Sequence, residues 1–255
     1  MFRIEDEGRI RLLTLDNPGR RNAIPMDRWS ELARVLRDFE ESDQRVLVVT
    51  GAGGDFCSGA ELSAEVPLET SAERYESMRH VNDAARALHT STKPTVAAVD
   101  GVAVGAGCNL ALGCDLVIAS DRARFSQIFV RRGLTVDFGG TWVLPRRVGL
   151  ARAKELALSG RVIDAAEAVE YGLALEVVAV DDLMDRARAV AESLAAGAPL
   201  AQRFVKAAID RSFELSFDEA LALEAQAQTV CLSSEDALEG VAAFVQKRDP
   251  EFRGR

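Results

Sequence analysis

Three short apolar runs most constrain what this chain can fold into: Val46-Leu47-Val48-Val49, ended by Gly51; Thr95 to Val99; and Asp115 to Ala119. Each is too short for an independent helix and lacks the alternation of a strand with one wet face. Continuous apolar runs of this length are characteristic of strands buried on both faces of a parallel sheet. The segments around them have a different period. Arg9 to Leu15 reads as a further strand. Met26, Trp29, Leu32, Ala33, Leu36 and Phe39 recur at helical spacing, Glu69 to Thr90 is polar and helix-permissive, and a short helical segment falls at about Gly107 to Gly113. Strands alternating with helices build an α/β layer. After Ala179 the strand signal stops. Four amphipathic patterns follow: Leu183, Met184, Ala187, Val190, Ala191, Leu194; then Phe204, Val205, Ala208, Ile209; then Phe217, Ala220, Leu221, Ala227; then Leu238, Val241, Ala242, Val245. Gly197 and Pro199 separate the first two. The expected organisation is an α/β core over 1–195 and a helical region over 196–255. The apolar faces of that tail need a cover, either the core or a second subunit.

Composition sets the outer bounds. A chain of 255 residues, 48% hydrophobic and 28% charged, is long enough for one large domain or one domain with an appendage. It is neither a disordered chain nor a disulfide-stapled miniprotein. The net charge of −9 argues against a nucleic-acid partner or an anionic membrane surface. The opening Met-Phe-Arg-Ile-Glu-Asp-Glu-Gly lacks the basic-then-apolar order of a secretory signal, and no stretch is apolar for long enough to cross a bilayer. Cys57, Cys108, Cys114 and Cys231 form no CxxC pair, and His80 and His89 are the only histidines. The expectation is a cytoplasmic protein with reduced thiols and no metal site.

Glycine gathers beside small and polar residues in three places. Gly51 to Leu62 follows a buried strand, and such a loop exposes main-chain N–H groups to a ligand. Asp100 to Leu110 also follows a buried strand and enters a short helix, whose N-terminus suits an anion or a developing oxyanion. Taken alone, these glycines are better explained by close helix–strand packing that admits only small residues. The run Gly105-Ala106-Gly107-Cys108-Asn109-Leu110 fails the GxGxxG dinucleotide fingerprint. Leu134 to Trp142 holds one carboxylate, Asp137, among apolar residues and glycines. Desolvation there would raise its basicity and suit a general base; a helix-capping Asp is the other reading. GxSxG, Walker and HExxH motifs are absent from the sequence.

In their order along the chain, these stretches resemble the crotonase superfamily, the enoyl-CoA hydratase/isomerase fold. The resemblance rests on Phe56-Cys57-Ser58-Gly59-Ala60-Glu61-Leu62, on Gly101 to Cys108, on Ala111-Leu112-Gly113-Cys114-Asp115 and on Gly139-Gly140-Thr141. Asn17-Pro18 with Arg20-Arg21-Asn22-Ala23 is similar to the family's opening CoA-contact segment. Ala165 to Ala168 with Tyr171-Gly172-Leu173 is similar to its late helix–turn signature. The resemblance implies a superhelical core of ββα turns and C-terminal helices that pack homotrimers, often dimers of trimers. It implies an acyl-CoA thioester substrate, with CoA belonging to the substrate and no separate cofactor. The N–H groups of Ala60 and Ala106 would hold the thioester oxygen of an enolate. Arg20, Arg21 and Ala23 would contact CoA, Glu61 and Leu62 would lie near its adenine, and Gly105 near the oxyanion donors. Lys247, with Arg248, would reach a neighbour's phosphate. The segment from Ser63 to Ser91 would line the acyl pocket.

The departures from the family pattern narrow the chemistry. Hydratases of the family activate water with two glutamates, and this chain has Asn109 and Phe129 at those positions. Asn109 can orient a water but cannot take its proton, and Phe129 can do neither. Asp137 stands where certain isomerases carry a catalytic aspartate, and Gly133 to Arg146 is most similar to ring-epoxide isomerases of phenylacetate degradation. The expected activity is double-bond isomerisation of an enoyl-CoA by Asp137. The alternatives are hydration by substituted residues, a dehalogenase-like reaction with Asp137 as nucleophile and His80 activating water, and a non-catalytic acyl-CoA-binding scaffold.

Overall fold

A computed structural model describes residues 1–62 and 70–255. In chain order its elements are β1 (Phe2–Glu7), β2 (Ile10–Leu15), α1 (Trp29–Glu40), β3 (Val46–Gly51), α2 (Ser71–His89), β4 (Thr95–Val99), β5 (Val102–Val104), α3 (Ala106–Gly113), β6 (Leu116–Ser120), β7 (Arg124–Ser126), α4 (Gly140–Ser159), β8 (Val162–Asp164), α5 (Ala165–Tyr171), β9 (Glu176–Val178), α6 (Leu183–Ala196), α7 (Pro199–Asp210), α8 (Phe217–Leu232) and α9 (Glu235–Gln246).

The three apolar runs are the centre of a sheet ordered β1-β2-β3-β4-β6-β9. β1 and β2 form an antiparallel hairpin, and every later pairing in that sheet is parallel. All five residues of β4 are buried, as expected for a strand covered on both faces. One face carries the main core, with Trp29, Leu32, Leu36 and Phe39 of α1 packed with Leu13, Leu47, Val49 and the helices beyond. The other face is covered by α6, whose Leu183, Ala187, Ala191 and Ala195 meet Val46, Val48, Val96 and Ile118.

A second, three-stranded sheet, ordered β5-β7-β8, was not expected from the sequence. It gives the chain its ββα character. β4 and β6 lie in the large sheet, and each is followed at once by a strand of the small sheet and then by a helix, α3 or α4. This mixed α/β architecture is the expected one. The tail differs in packing from the core: α7 and α8 bury no residue, and α9 buries only Asp236 and Ala243. Among the described residues no helix is long and apolar enough to cross a membrane.

Candidate active site

Three glycine-bearing loops meet at the end of the sheet where β3 and β4 finish. The first is threaded against the second by main-chain bonds. Cys57 N–H donates to Val102 O (2.8 Å) and Val104 N–H donates to Cys57 O (3.0 Å), so Cys57 and Ala103 form a parallel bridge. Its other edge pairs with the opening segment: Ile24 N–H donates to Gly59 O (2.8 Å) and Glu61 N–H to Ile24 O (2.9 Å). Asn22, fully buried with φ +57°, locks that segment in place, its Nδ2 donating to Ala52 O and Asp55 O.

Glycine is required where these loops touch. A Cβ on Gly107 would stand 2.3 Å from Cys57 O, and one on Gly59 would stand 3.3 Å from the Ala106 nitrogen. The loops therefore bring Ala60 beside the first turn of α3. Ala106 opens that helix, so its N–H has no acceptor within it. Among the described residues no group accepts the N–H of Ala60 or of Ala106. Two free main-chain donors on adjoining loops can stabilise negative charge on a ligand oxygen.

The third loop is tied to the same helix. Asn109, one turn along α3 from Ala106 and 1% exposed, donates through Nδ2 to Asp137 O (2.8 Å). Gly140 N–H donates to the same oxygen (2.9 Å). Phe138 sits at φ +49°, rare for a non-glycine residue, and its ring packs 5.5 Å from that of Trp29. Such a conformation costs roughly 1–3 kcal/mol and persists only when the surroundings enforce it. Asp137 Oδ1 is buried with no hydrogen-bond partner among the described residues. Burial pushes the carboxyl up to about 6, against a smaller opposing effect of its own main-chain N–H. Phe129 is buried, and the Cβ that Gly105 lacks would lie 3.8 Å from its ring. The region beside the donors is therefore walled by an aromatic ring rather than a second carboxylate.

The other sequence-predicted residues fall as follows. Arg20 and Arg21 stand on the exposed side of the opening segment, with Arg20 3.5 Å from Glu61 and Arg21 3.8 Å from Asp55. Ala23 is buried beneath them, and Leu62 is exposed. Arg20, Arg21, Ala23, Glu61 and Leu62 all belong to the same loop cluster as Ala60. Lys247 does not: it caps α9 in a left-handed conformation, and no described contact joins it to these loops. Of the segment 63–91, residues 63–69 lie outside the described residues. His80 is exposed on α2, and His89 is stacked edge-on against Trp142 at 4.6 Å. Cys57, Cys108 and Cys114 are free, buried thiols, each pushed up to about 12 by desolvation. Sequence reasoning missed the supports: Gln127, whose Nε2 donates to Asn109 Oδ1 (2.8 Å), and Gly140, which leaves room for the Asn109 amide. Gln127 stands two residues before Phe129, but nothing in the sequence ties it to Asn109.

Fold and site together define a class. This is an α/β protein with paired main-chain donors beside a desolvated carboxylate, equipment for holding an oxyanion and moving a proton. Comparison with known proteins agrees. The family model described as Enoyl-CoA hydratase/isomerase matches residues 5–255. A short-chain-enoyl-CoA hydratase of Clostridium acetobutylicum is 37% identical, covering 99% of this chain and 97% of the relative. A 1,2-epoxyphenylacetyl-CoA isomerase of Escherichia coli is 39% identical, covering 96% and 95%. A crystal structure of a putative enoyl-CoA hydratase/isomerase from Mycobacterium abscessus superposes with TM-score 0.95 at 34% identity over the whole of both chains. The chain belongs to the enoyl-CoA hydratase/isomerase family of the crotonase superfamily, whose members act on acyl-CoA thioesters.

Proposed function

We propose that this chain isomerises the double bond of an enoyl-CoA thioester, with Asp137 as its single acid/base. The observation that carries this reading is the buried, unpartnered Asp137 Oδ1, in a carboxyl held at about 6. A base of that strength is ionised at neutral pH yet returns a proton readily. The thioester oxygen lies between the N–H groups of Ala60 and Ala106. Asp137 removes a proton from C2 of a 3-enoyl thioester. The C–H electron pair becomes part of a dienolate whose charge rests on the thioester oxygen, where the two donors meet it. The carboxyl then protonates C4, leaving the double bond between C2 and C3. Atoms balance without water, metal or redox cofactor. Arg20, Arg21, Ala23, Glu61 and Leu62 bind the CoA portion in this reading, and Lys247 acts on a neighbouring subunit's CoA.

Hydration is the second reading, favoured by the name of the Clostridium relative. It requires a base for water and an acid for the acyl chain, and with Asn109 and Phe129 supplying neither, Asp137 would have to serve as both. The test is the purified protein with a 3-enoyl-CoA and a 2-enoyl-CoA, products resolved by mass. The expected result is a product of unchanged mass from the first and no water added to the second. Asp137→Asn should lower turnover by ~10²–10⁴-fold, the range for loss of a general base. Acyl-CoA affinity should stay near the native value. Rapid addition of water to the 2-enoyl substrate, or full turnover by D137N, overturns the reading.

A further inference from the structure

We infer that Asn109 is a positioning residue for Asp137, an oriented amide bracket that fixes the main chain from which the carboxylate projects. The inference rests on the proposed role of Asp137 as the base. The bracket has a direction. A carbonyl oxygen can only accept, so the amide must present Nδ2 to Asp137 O, which it does at 2.8 Å. Its Oδ1 is then left facing Gln127, whose Nε2 donates to it at 2.8 Å. Each end of the Asn109 amide thereby has a protein partner that fixes its direction. The side chain is 1% exposed, so its polar atoms face the protein rather than solvent.

The rest of the turn is shaped around this bracket. Gly140 gives Asp137 O its second hydrogen bond, and a Cβ at that glycine would lie 2.3 Å from Asn109 Nδ2. Phe138 and Gly139, between the two bonded residues, hold φ of +49° and +73°. A turn in this conformation is kept only by what grips its ends, and Asn109 is the grip on the α3 side. A carboxylate at position 109 would offer only acceptors to the Asp137 carbonyl. A glutamate there could not repeat the bond that grips this Asp137 turn, so an amide at 109 suits the aspartate site.

The test compares Asn109→Ala and Gln127→Leu with the native protein on a 3-enoyl-CoA. The second variant keeps Asn109 but removes the donor that orients it, and it remains informative if the first folds poorly. Asn109→Ala should lower kcat by ~10–100-fold, as for an ångström-scale misplacement of a reacting group. KM should move less than about threefold, because no ligand contact is lost. Q127L should act in the same direction with a smaller loss. Freed from the turn, the carboxylate gains water, so the acidic limb of kcat/KM should move down from about 6. No charged side chain among the described residues contributes to that value, so removing a neutral amide alone would leave the limb in place. A native kcat and limb in N109A, or a raised KM with unchanged kcat, overturns the inference while D137N still reports on the base. If D137N retains full turnover, it is the isomerase reading that fails.

Discussion

At the residue scale, the properties that suit Asp137 to proton transfer work against stability. Its carboxyl holds its proton to about 6 in the folded chain, against 3.8 for an ordinary aspartate. Between those values the folded state binds more protons than the unfolded one, so stability falls as pH rises through the window and is level above it. The loss is on the order of 2–3 kcal/mol. D137N removes the ionisation, so its stability relative to the native chain should climb between about pH 4 and pH 6 and then stay flat; parallel urea titrations at several pH values measure this. A pH-independent difference would mean the carboxyl is solvated in the folded protein. Gly140→Ala tests the adjoining contact. The added methyl must displace the Asn109 amide, at about 1–3 kcal/mol for an overpacked site, and turnover should fall with it. Asp137 was legible in the sequence because a lone carboxylate among glycines and apolar residues stands out. Its supports were not legible as such: Asn109 stood out only as a departure from the family pattern, and Gln127 and Gly140 meet it only in the fold.

At the scale of elements, the site is a consequence of how two strand ends are stitched together. Cys57 and Ala103 pair just beyond β3 and β4, and the spacing of that pair is set by glycine. Gly107→Ala would drive a methyl to 2.3 Å from Cys57 O, a main-chain atom that cannot rotate away. The expected outcome is separation of the Ala60 and Ala106 donors, with turnover down ~10²-fold or more, in the range for loss of an oxyanion donor. Steady-state kinetics alongside circular dichroism checks this; native kcat in a folded G107A would show that the two donors do not act as a pair. Four of the six strands of the large sheet, β2, β3, β4 and β6, could be read in advance, the last three because burial on both faces leaves an unbroken apolar run; β1, polar and exposed along most of its length, and the three-residue β9 could not. β5, β7 and β8 could not: each has three residues, below the length at which any periodicity registers. The long helix α4 was also illegible. Its buried Gly140, Leu144 and Val148 follow a four-residue step, and then Gly149, at φ +76°, breaks the helix before Ala153 and Leu156 resume burial. A pattern whose phase jumps midway does not read as one amphipathic stripe.

At the scale of the whole molecule, the tail is anchored to the core by polar groups while its apolar groups point outward. Lys206 of α7 pairs with Asp115 at 2.8 Å. Asp236 of α9 accepts from the N–H groups of Arg253 and Gly254, and Arg45, just before β3, donates to Phe252 O at 2.7 Å. So fixed, α9 presents Leu238, Val241, Phe244 and Val245 with exposures of 67–85%. Phe213, Phe217 and Leu232 extend the same character along α8 and its approach. Beside them, a cavity of about 650 Å³ opens between α4 and α7, walled by Leu112, Trp142, Val205, Ile209 and Phe213. Scattered apolar side chains on a surface need no explanation, but a contiguous set on rigidly held helices does. The amphipathic patterns beyond residue 196 foretold faces in need of cover, and the core does not supply it. We propose a second copy of the chain as the cover, in a homotrimer or dimer of trimers. Val241→Asp with Phe244→Asp would place two charges on that face without touching the polar anchors. Sedimentation of the native chain at micromolar concentration should give a multiple of 27.5 kDa, and the double variant should shift toward a single chain. Its core should remain folded, because α6 still covers the sheet and both substituted residues lie outside the two apolar clusters. A native chain that sediments at 27.5 kDa would overturn the assignment and leave these faces to a partner of other origin.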